Sequence, residues 1–156
     1  MAEIVLYEPE IPQNTGSVAR LCAATKTVLN LIEPLGFSLS DKYLKRAGLD
    51  YWPHVVVRVW PDYPSFLATV PGRRLVYMTA GNRGQQSVPY HQFPFEPDDL
   101  LVFGTESRGL PDALLDGALH VARIPIWGKV RSLNLANAAS IILYEALRRV
   151  GELEGK

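Results

Sequence analysis

The residues that could do chemistry fall in three stretches. The first is Pro9-Glu10-Ile11-Pro12-Gln13-Asn14-Thr15-Gly16-Ser17-Val18-Ala19-Arg20. Its two prolines fix the approach of the chain, and Gly16 lets another backbone come near. Asn14 is a candidate N-cap whose side chain would satisfy a free backbone N–H. Arg20 then sits one to two turns into the helix. A capped surface helix with a solvated arginine fits this stretch, and so does a helix presenting an arginine to a ligand. The second stretch, Leu101-Val102-Phe103-Gly104-Thr105-Glu106-Ser107-Arg108-Gly109-Leu110-Pro111, reads as a buried strand, a glycine-bounded loop and a short helix. Glu106 near that helix start complements its dipole. The third runs from Ile124 to Ala139, where a basic loop with Lys129 and Arg131 leads to a helix start crowded with Ser132, Asn134 and Asn137. Polar groups beside alanines there suit a close backbone approach or the polar edge of a ligand.

Several other chemistries are disfavoured. The spacing of Gly104 and Gly109 begins like a phosphate loop, but Leu110-Pro111 stands where Lys-Ser/Thr would follow. No strand is followed by Gly-x-Gly-x-x-Gly, and Gly-x-Ser-x-Gly is absent. His54, His91 and His120 lie far apart, outside these loops and without metal-ligand spacing. Cys22, in Arg20-Leu21-Cys22-Ala23-Ala24, reads as a small hydrophobe on a helix face rather than a nucleophile. Trp52, Trp60 and Trp127 read as core or interface residues rather than base-stacking platforms, although for Trp127, in a basic loop, the stacking role stays open.

The elements that must position these residues follow from apolar patterning. Ile4–Tyr7, Val28–Ile32, His54–Trp60, Leu75–Met78, Leu100–Phe103 and Val121–Ile124 read as strands. Their continuous apolar character predicts burial on both faces, as in a parallel sheet. Helices are predicted over Thr15–Thr25, Asp41–Ala47, Pro64–Thr69, Pro111–Leu115 and Leu133–Val150. In the last, Ala136, Ala139, Ser140, Leu143 and Leu147 share one face. Strand–helix alternation means an α/β fold with a parallel sheet flanked by helices. Ligands of such sheets bind at loops leaving the carboxyl ends of strands. Three loops qualify: Thr79–Ser87, Gly104–Gly109 and Pro125–Arg131.

A chain of 156 residues with no linker, repeat or low-complexity segment reads as a single domain, 1–156. No run of 18 apolar residues offers a membrane span, and the N-terminus lacks the pattern of a secretory signal. One cysteine excludes an internal disulfide and points to a reducing, cytoplasmic setting. Sixteen basic and sixteen acidic residues cancel, so only the distribution of charge is informative. Residues 63–95 carry Arg73, Arg74 and Arg83, and residues 117–144 carry Arg123, Lys129 and Arg131, with no Asp or Glu in either stretch. If the two meet, they form a basic surface.

In their order and spacing, the three stretches resemble the signature motifs of the SPOUT superfamily of RNA methyltransferases. Within it they most resemble the tRNA (cytidine/uridine-2'-O)-methyltransferases that act on the wobble nucleotide. Further likeness lies in Ile4-Val5-Leu6-Tyr7-Glu8-Pro9-Glu10-Ile11-Pro12, Ile32-Glu33-Pro34-Leu35-Gly36-Phe37, Arg46-Ala47-Gly48-Leu49-Asp50-Tyr51, Ser132-Leu133-Asn134-Leu135-Ala136-Asn137-Ala138 and Tyr144-Glu145-Ala146. The resemblance covers essentially the whole chain. Gln13 and Thr105 depart from it, standing where bacterial relatives often carry proline, which leaves target preference open.

The resemblance implies a C-terminal deep trefoil knot, a feature rare enough that no local pattern predicts it. It also implies a homodimer, a tRNA partner and S-adenosyl-L-methionine bound bent in the knot, with neither metal nor membrane. By position, Met78, Thr79, Gly104, Glu106, Gly109, Ile124, Ser132, Leu133 and Asn137 would surround the cofactor. Arg20, Asn14 and Glu106 would be the catalytic set. A guanidinium is always protonated, so Arg20 would clamp a phosphate or stabilise alkoxide charge rather than act as a simple base, with Asn14 holding or orienting it, within the chain or across the dimer. Arg20, Lys42, Arg46, Arg123, Lys129 and Arg131 would bind RNA.

Overall fold

The apolar runs become strands of one sheet, and the computed structural model describes residues 1–48, 50–81 and 86–156 of the chain. The strands are β1 (Glu3–Tyr7), β2 (Leu29–Ile32), β3 (Val57–Trp60), β4 (Leu75–Thr79), β5 (Ser87–Pro89), β6 (Leu100–Phe103) and β7 (Val121–Arg123). The helices are α1 (Pro12–Thr25), α2 (Lys42–Gly48), α3 (Tyr63–Leu67), α4 (Asp112–Asp116) and α5 (Leu135–Arg149), with a 3-10 turn at Trp52–His54. The strand order is β3-β2-β1-β6-β4-β7-β5, and every neighbouring pair is parallel. The chain therefore inserts β6 between β1 and β4, and β7 between β4 and β5.

All four positions of β2 and of β6 are buried, the pattern of strands covered on both faces. Register then sorts the side chains. Ile4 lies beside Leu101, and Leu6 beside Phe103; this face packs with Val18, Cys22, Ile142 and Leu143 of α1 and α5. Val5 and Val102 point the other way, into Tyr63, Phe66 and Leu115 from α3 and α4. Burying each such aliphatic side chain stabilises the fold by about 1.5–3 kcal/mol, and the two clusters make a helix–sheet–helix stack. Cys22 is buried against α1's partners, and burial pushes its thiol up to about 12, which keeps it inert.

Two buried polar side chains of the sheet are paired. Asn30, in the middle of β2, donates to Glu3 Oε2 at 2.8 Å and accepts from Trp60 Nε1 at 3.0 Å. Asp99 is fully buried and accepts from Arg74 through both oxygens, at 2.8 and 3.0 Å.

Four expectations are corrected here. The predicted strand His54–Trp60 is shorter, because His54 belongs to the 3-10 turn, and it is an edge strand with Arg58 and Val59 exposed rather than covered on both faces. Residues Ser87–Pro89, where the predicted loop Thr79–Ser87 ends and no strand was expected, form β5, a three-residue edge strand whose pairing with β7 comes from the sheet and not from any local apolar run. Helix α1 starts at Pro12, with Ile11 and not Asn14 as its N-cap residue, since proline supplies the helical φ and needs no N–H partner. The arginines of residues 63–95 do not build a free basic surface. Arg73 pairs with Glu3 and Arg74 with Asp99 and Glu96, while Arg83 and Leu49 lie outside the described residues.

Candidate functional site

The carboxyl ends of β4, β6 and β7 open into a cleft of about 630 Å³, a size suited to a nucleoside-sized ligand. Each of the three strands supplies a loop. Met78, Thr79, Ala80 and Gly81 come from β4; Phe103 through Leu110 come from β6; Ala122, Arg123, Ile124 and Ile126 come from β7. The start of α5 adds Arg131 through Leu135, and α1 adds Ile11 and Asn14.

The β6 loop is a closed turn. Thr105 and Gly109 exchange backbone hydrogen bonds at 3.2 and 2.9 Å, and Arg108 N–H donates to Thr105 Oγ1 at 3.1 Å. Gly104 is required sterically, because a Cβ there would come 2.1 Å from the carbonyl carbon of Gly109. Gly109 turns the chain at a φ of +71°, where a side chain is strained.

Glu106 is turned away from the helix that follows it. Its Oε2 accepts the backbone N–H groups of Glu10 and Ile11, at 2.7 and 3.0 Å, so it holds the chain leading into α1. Ser107 Oγ donates to Glu10 Oε1 at 2.7 Å and doubles this clasp. The second oxygen of Glu106 is buried and has no hydrogen-bond partner among the described residues. Desolvation raises the Glu106 carboxyl above its ordinary range, opposed by the N–H groups it accepts. A half-satisfied carboxylate lining a cleft favours a cationic ligand there, and the sulfonium and ammonium of S-adenosyl-L-methionine meet that requirement. Close backbone approach at Gly104 suits the same flat, polar-edged molecule.

Asn14 is buried within the first turn of α1, and its Oδ1 accepts from Asn134 Nδ2 at 3.0 Å. Asn134 in turn caps α5, its Oδ1 accepting from the N–H groups of Ala136 and Asn137 at 2.9 and 3.3 Å. The predicted helix over Leu133–Val150 is thus trimmed to Leu135–Arg149 by this cap.

Of the residues expected around the cofactor, the structure places Met78, Thr79, Gly104, Glu106, Gly109, Ile124, Ser132 and Leu133 on the cleft. Asn137 is not on it; that side chain is exposed on α5, and only its N–H takes part in the cap. Arg20 is also outside the cleft, exposed on α1 with its guanidinium 4.9 Å from the centre of the Tyr51 ring. Within the chain Asn14 Oδ1 faces Asn134 rather than Arg20. Lys42 and Arg46 are exposed on α2, which packs on α1. Arg123 lines the cleft but donates through Nη1 to the Oγ of Ser87 at 3.0 Å and to its carbonyl, which ties it to β5. Lys129 and Arg131 are exposed. Trp127 is neither core nor buried. Sequence reasoning missed Ser107, Asn134 as a cap bonded to Asn14, and the clasp on Glu10. A carboxylate at Glu106 was visible, but its partner lies 96 positions away.

Comparison with known proteins agrees with this geometry. Over 151 residues the chain is 46% identical to a tRNA (cytidine(34)-2'-O)-methyltransferase of Methylovorus glucosotrophus, covering 96% of each chain. A solved structure described as giving insight into the 2-OH methylation of C/U34 on tRNA superposes with a TM-score of 0.89 at 49% identity, over 96% of this chain and 95% of that one. An AdoMet-bound rRNA methyltransferase from Sinorhizobium meliloti superposes with a TM-score of 0.82 at 26% identity, over 94% of this chain but 56% of that one. Residues 1–144 match the SpoU rRNA Methylase family, and the chain belongs to that family.

Proposed function

We propose that this protein transfers the methyl group of S-adenosyl-L-methionine to the ribose 2'-hydroxyl of the wobble nucleotide, cytidine or uridine, in tRNA. The observation that carries the reading is the cleft at the three strand ends, lined by apolar side chains such as Met78, Phe103, Ile124 and Leu133 together with the backbone of the glycine-bounded β6 loop, and holding one under-satisfied carboxylate. The relatives matched along nearly their whole length are named for position 34 of tRNA, and a single domain, 1–156, carries both binding and transfer.

When bound, the cofactor supplies an already activated methyl group, so the protein has to align the 2'-hydroxyl and manage charge. The β6 loop and Ser132–Leu133 hold the donor. Glu106 and Asn14 act as positioning residues, because both spend an oxygen on tying α1 to the cleft loops. Arg20 is exposed and outside its own chain's cleft. We therefore assign it to the cleft of a second copy in a homodimer, where it clamps the target phosphate or stabilises the developing alkoxide. Lys42 and Arg46 extend the same RNA surface, and Lys129 and Arg131 border the cleft.

Incubating the protein with radiolabelled S-adenosyl-L-methionine and total tRNA, then mapping the labelled nucleotide, tests the reading. Label in a 2'-O-methylated wobble nucleotide supports it, and label elsewhere or none overturns it. Mixing inactive R20A with an inactive G104A variant tests the shared site. Activity regained on mixing places Arg20 across the dimer, and no recovery removes that assignment.

A further inference from the structure

The loop from Trp127 to Asn134 is exposed at every position, and its tryptophan is 93% exposed. A large aromatic ring left in water normally finds a partner. The loop leaves β7 at the cleft: Ile126 before it and Arg131 within it both line the site. Lys129 and Arg131 follow the tryptophan, at the second and fourth positions after it, and residues 117–144 contain no acid. A protein–protein interface depletes charge at its centre. An exposed aromatic ring in the same loop as two cations is the combination that holds an unpaired nucleic-acid strand.

We propose that Trp127 is a stacking platform for an unpaired RNA base next to the nucleotide being methylated, with Lys129 and Arg131 holding the adjoining phosphates. The inference rests on the proposed RNA substrate and adds to it a residue that sets which flanking base is accepted. Stacking tolerates any base but favours purines with larger faces, so Trp127 grades substrates without hydrogen-bonded readout.

The test measures binding of a labelled, unpaired oligoribonucleotide to the full chain across a salt series, for wild type, W127A, W127F and K129A. W127A weakens binding by about 5- to 150-fold, the worth of one base-on-aromatic stack, at every salt concentration. The slope of log affinity against log salt stays unchanged in W127A, while K129A makes it shallower by about 0.7. W127F restores most of the affinity, and affinity for S-adenosyl-L-methionine and the sedimentation coefficient stay at wild-type values in W127A. Unchanged RNA affinity in W127A overturns the proposal. So does a matching loss of cofactor affinity, which would make adenine the occupant, or a shift to a smaller species, which would make it a second copy. Methyl transfer by wild type to tRNA is measured in parallel. No transfer with the Trp127 effect intact overturns the proposed reaction alone, whereas transfer without that effect overturns this inference alone.

Discussion

Asn14 and Asn134 are joined by a 3.0 Å side-chain hydrogen bond that ties the first turn of α1 to the cap of α5. Together with the Glu106 clasp on Glu10 and Ile11, it means that two of the three cleft loops are fastened to the same helix, the one that carries Arg20.

Asn134→Ala removes both the cap and the tie. Its loss is expected at about 1–2 kcal/mol in urea unfolding, as for other N-caps. Asn14→Ala removes the tie alone, at about 1 kcal/mol. The double variant falls short of their sum, because both singles break the same bond. Asn134→Asp separates the roles: it keeps a capping oxygen but sets a carboxylate against the Asn14 carbonyl. Stability should fall only by the worth of the tie, about 1 kcal/mol, while cofactor affinity falls. Strict additivity in the double variant would show that the pair is not coupled.

Glu106 makes the protein sensitive to pH. Burial raises its carboxyl above the ordinary 4.5 in the folded state, so the folded protein disfavours the charged form. That contribution to stability is complete below the ordinary value and is lost as pH rises through the raised one. A cationic ligand favours the ionised form, so affinity for S-adenosyl-L-methionine rises over the same interval. Glu106→Gln removes both slopes while still accepting the N–H groups of Glu10 and Ile11. Calorimetric titrations and urea midpoints between about pH 4 and 8 read both. A wild-type slope in the variant would assign the titration to another group.

Gly104→Ala puts a methyl group where the Gly109 carbonyl carbon already lies. The β6 loop has to open, and cofactor binding is expected to vanish with the fold weakened. Gly109→Ala meets no atom and pays only for its positive φ, about 1–3 kcal/mol. It should bind the cofactor with reduced affinity. Equal behaviour of the two variants in calorimetry would refute the steric argument.

The Arg74–Asp99 pair is structural and lies away from the cleft. With Asp99 fully buried and Arg74 largely so, Asp99→Ala leaves the guanidinium only Glu96 and the Pro94 carbonyl as partners and costs about 1–3 kcal/mol. In a marginally stable domain this lowers the melting temperature by several degrees without changing cofactor affinity at temperatures where the variant is folded. A loss of affinity at those temperatures would connect this end of the sheet to the site.

The strands were legible because sheet burial leaves a local mark: an apolar run broken only by Asn30 at Leu29–Ile32, and an unbroken one at Leu100–Phe103. The loops at their ends were legible for the same reason, since ligand loops in parallel sheets follow strands. What stayed hidden depends on partners distant in sequence. β5 exists because β7 lies beside it, and Glu106 serves α1 because the fold brings residue 10 to it. Arg73 and Arg74 read as free cations only until Glu3 and Asp99 are seen opposite them. Exposure removes the core reading of Trp127 but not the interface one, and only the basic residues of its own loop, Lys129 and Arg131, set it apart from the other two tryptophans in the sequence.

The placement of β6 beside β1 dictates when the molecule can come into being. As the chain leaves the ribosome, the first strand has β2 to pair with early, but its other flank stays bare until Leu100–Phe103 emerges. The ligand chamber is later still, because one wall awaits Ser132–Leu135. Contacts so remote along the chain close slowly, and synthesis is nearly finished before a nascent molecule can grip its first small-molecule guest.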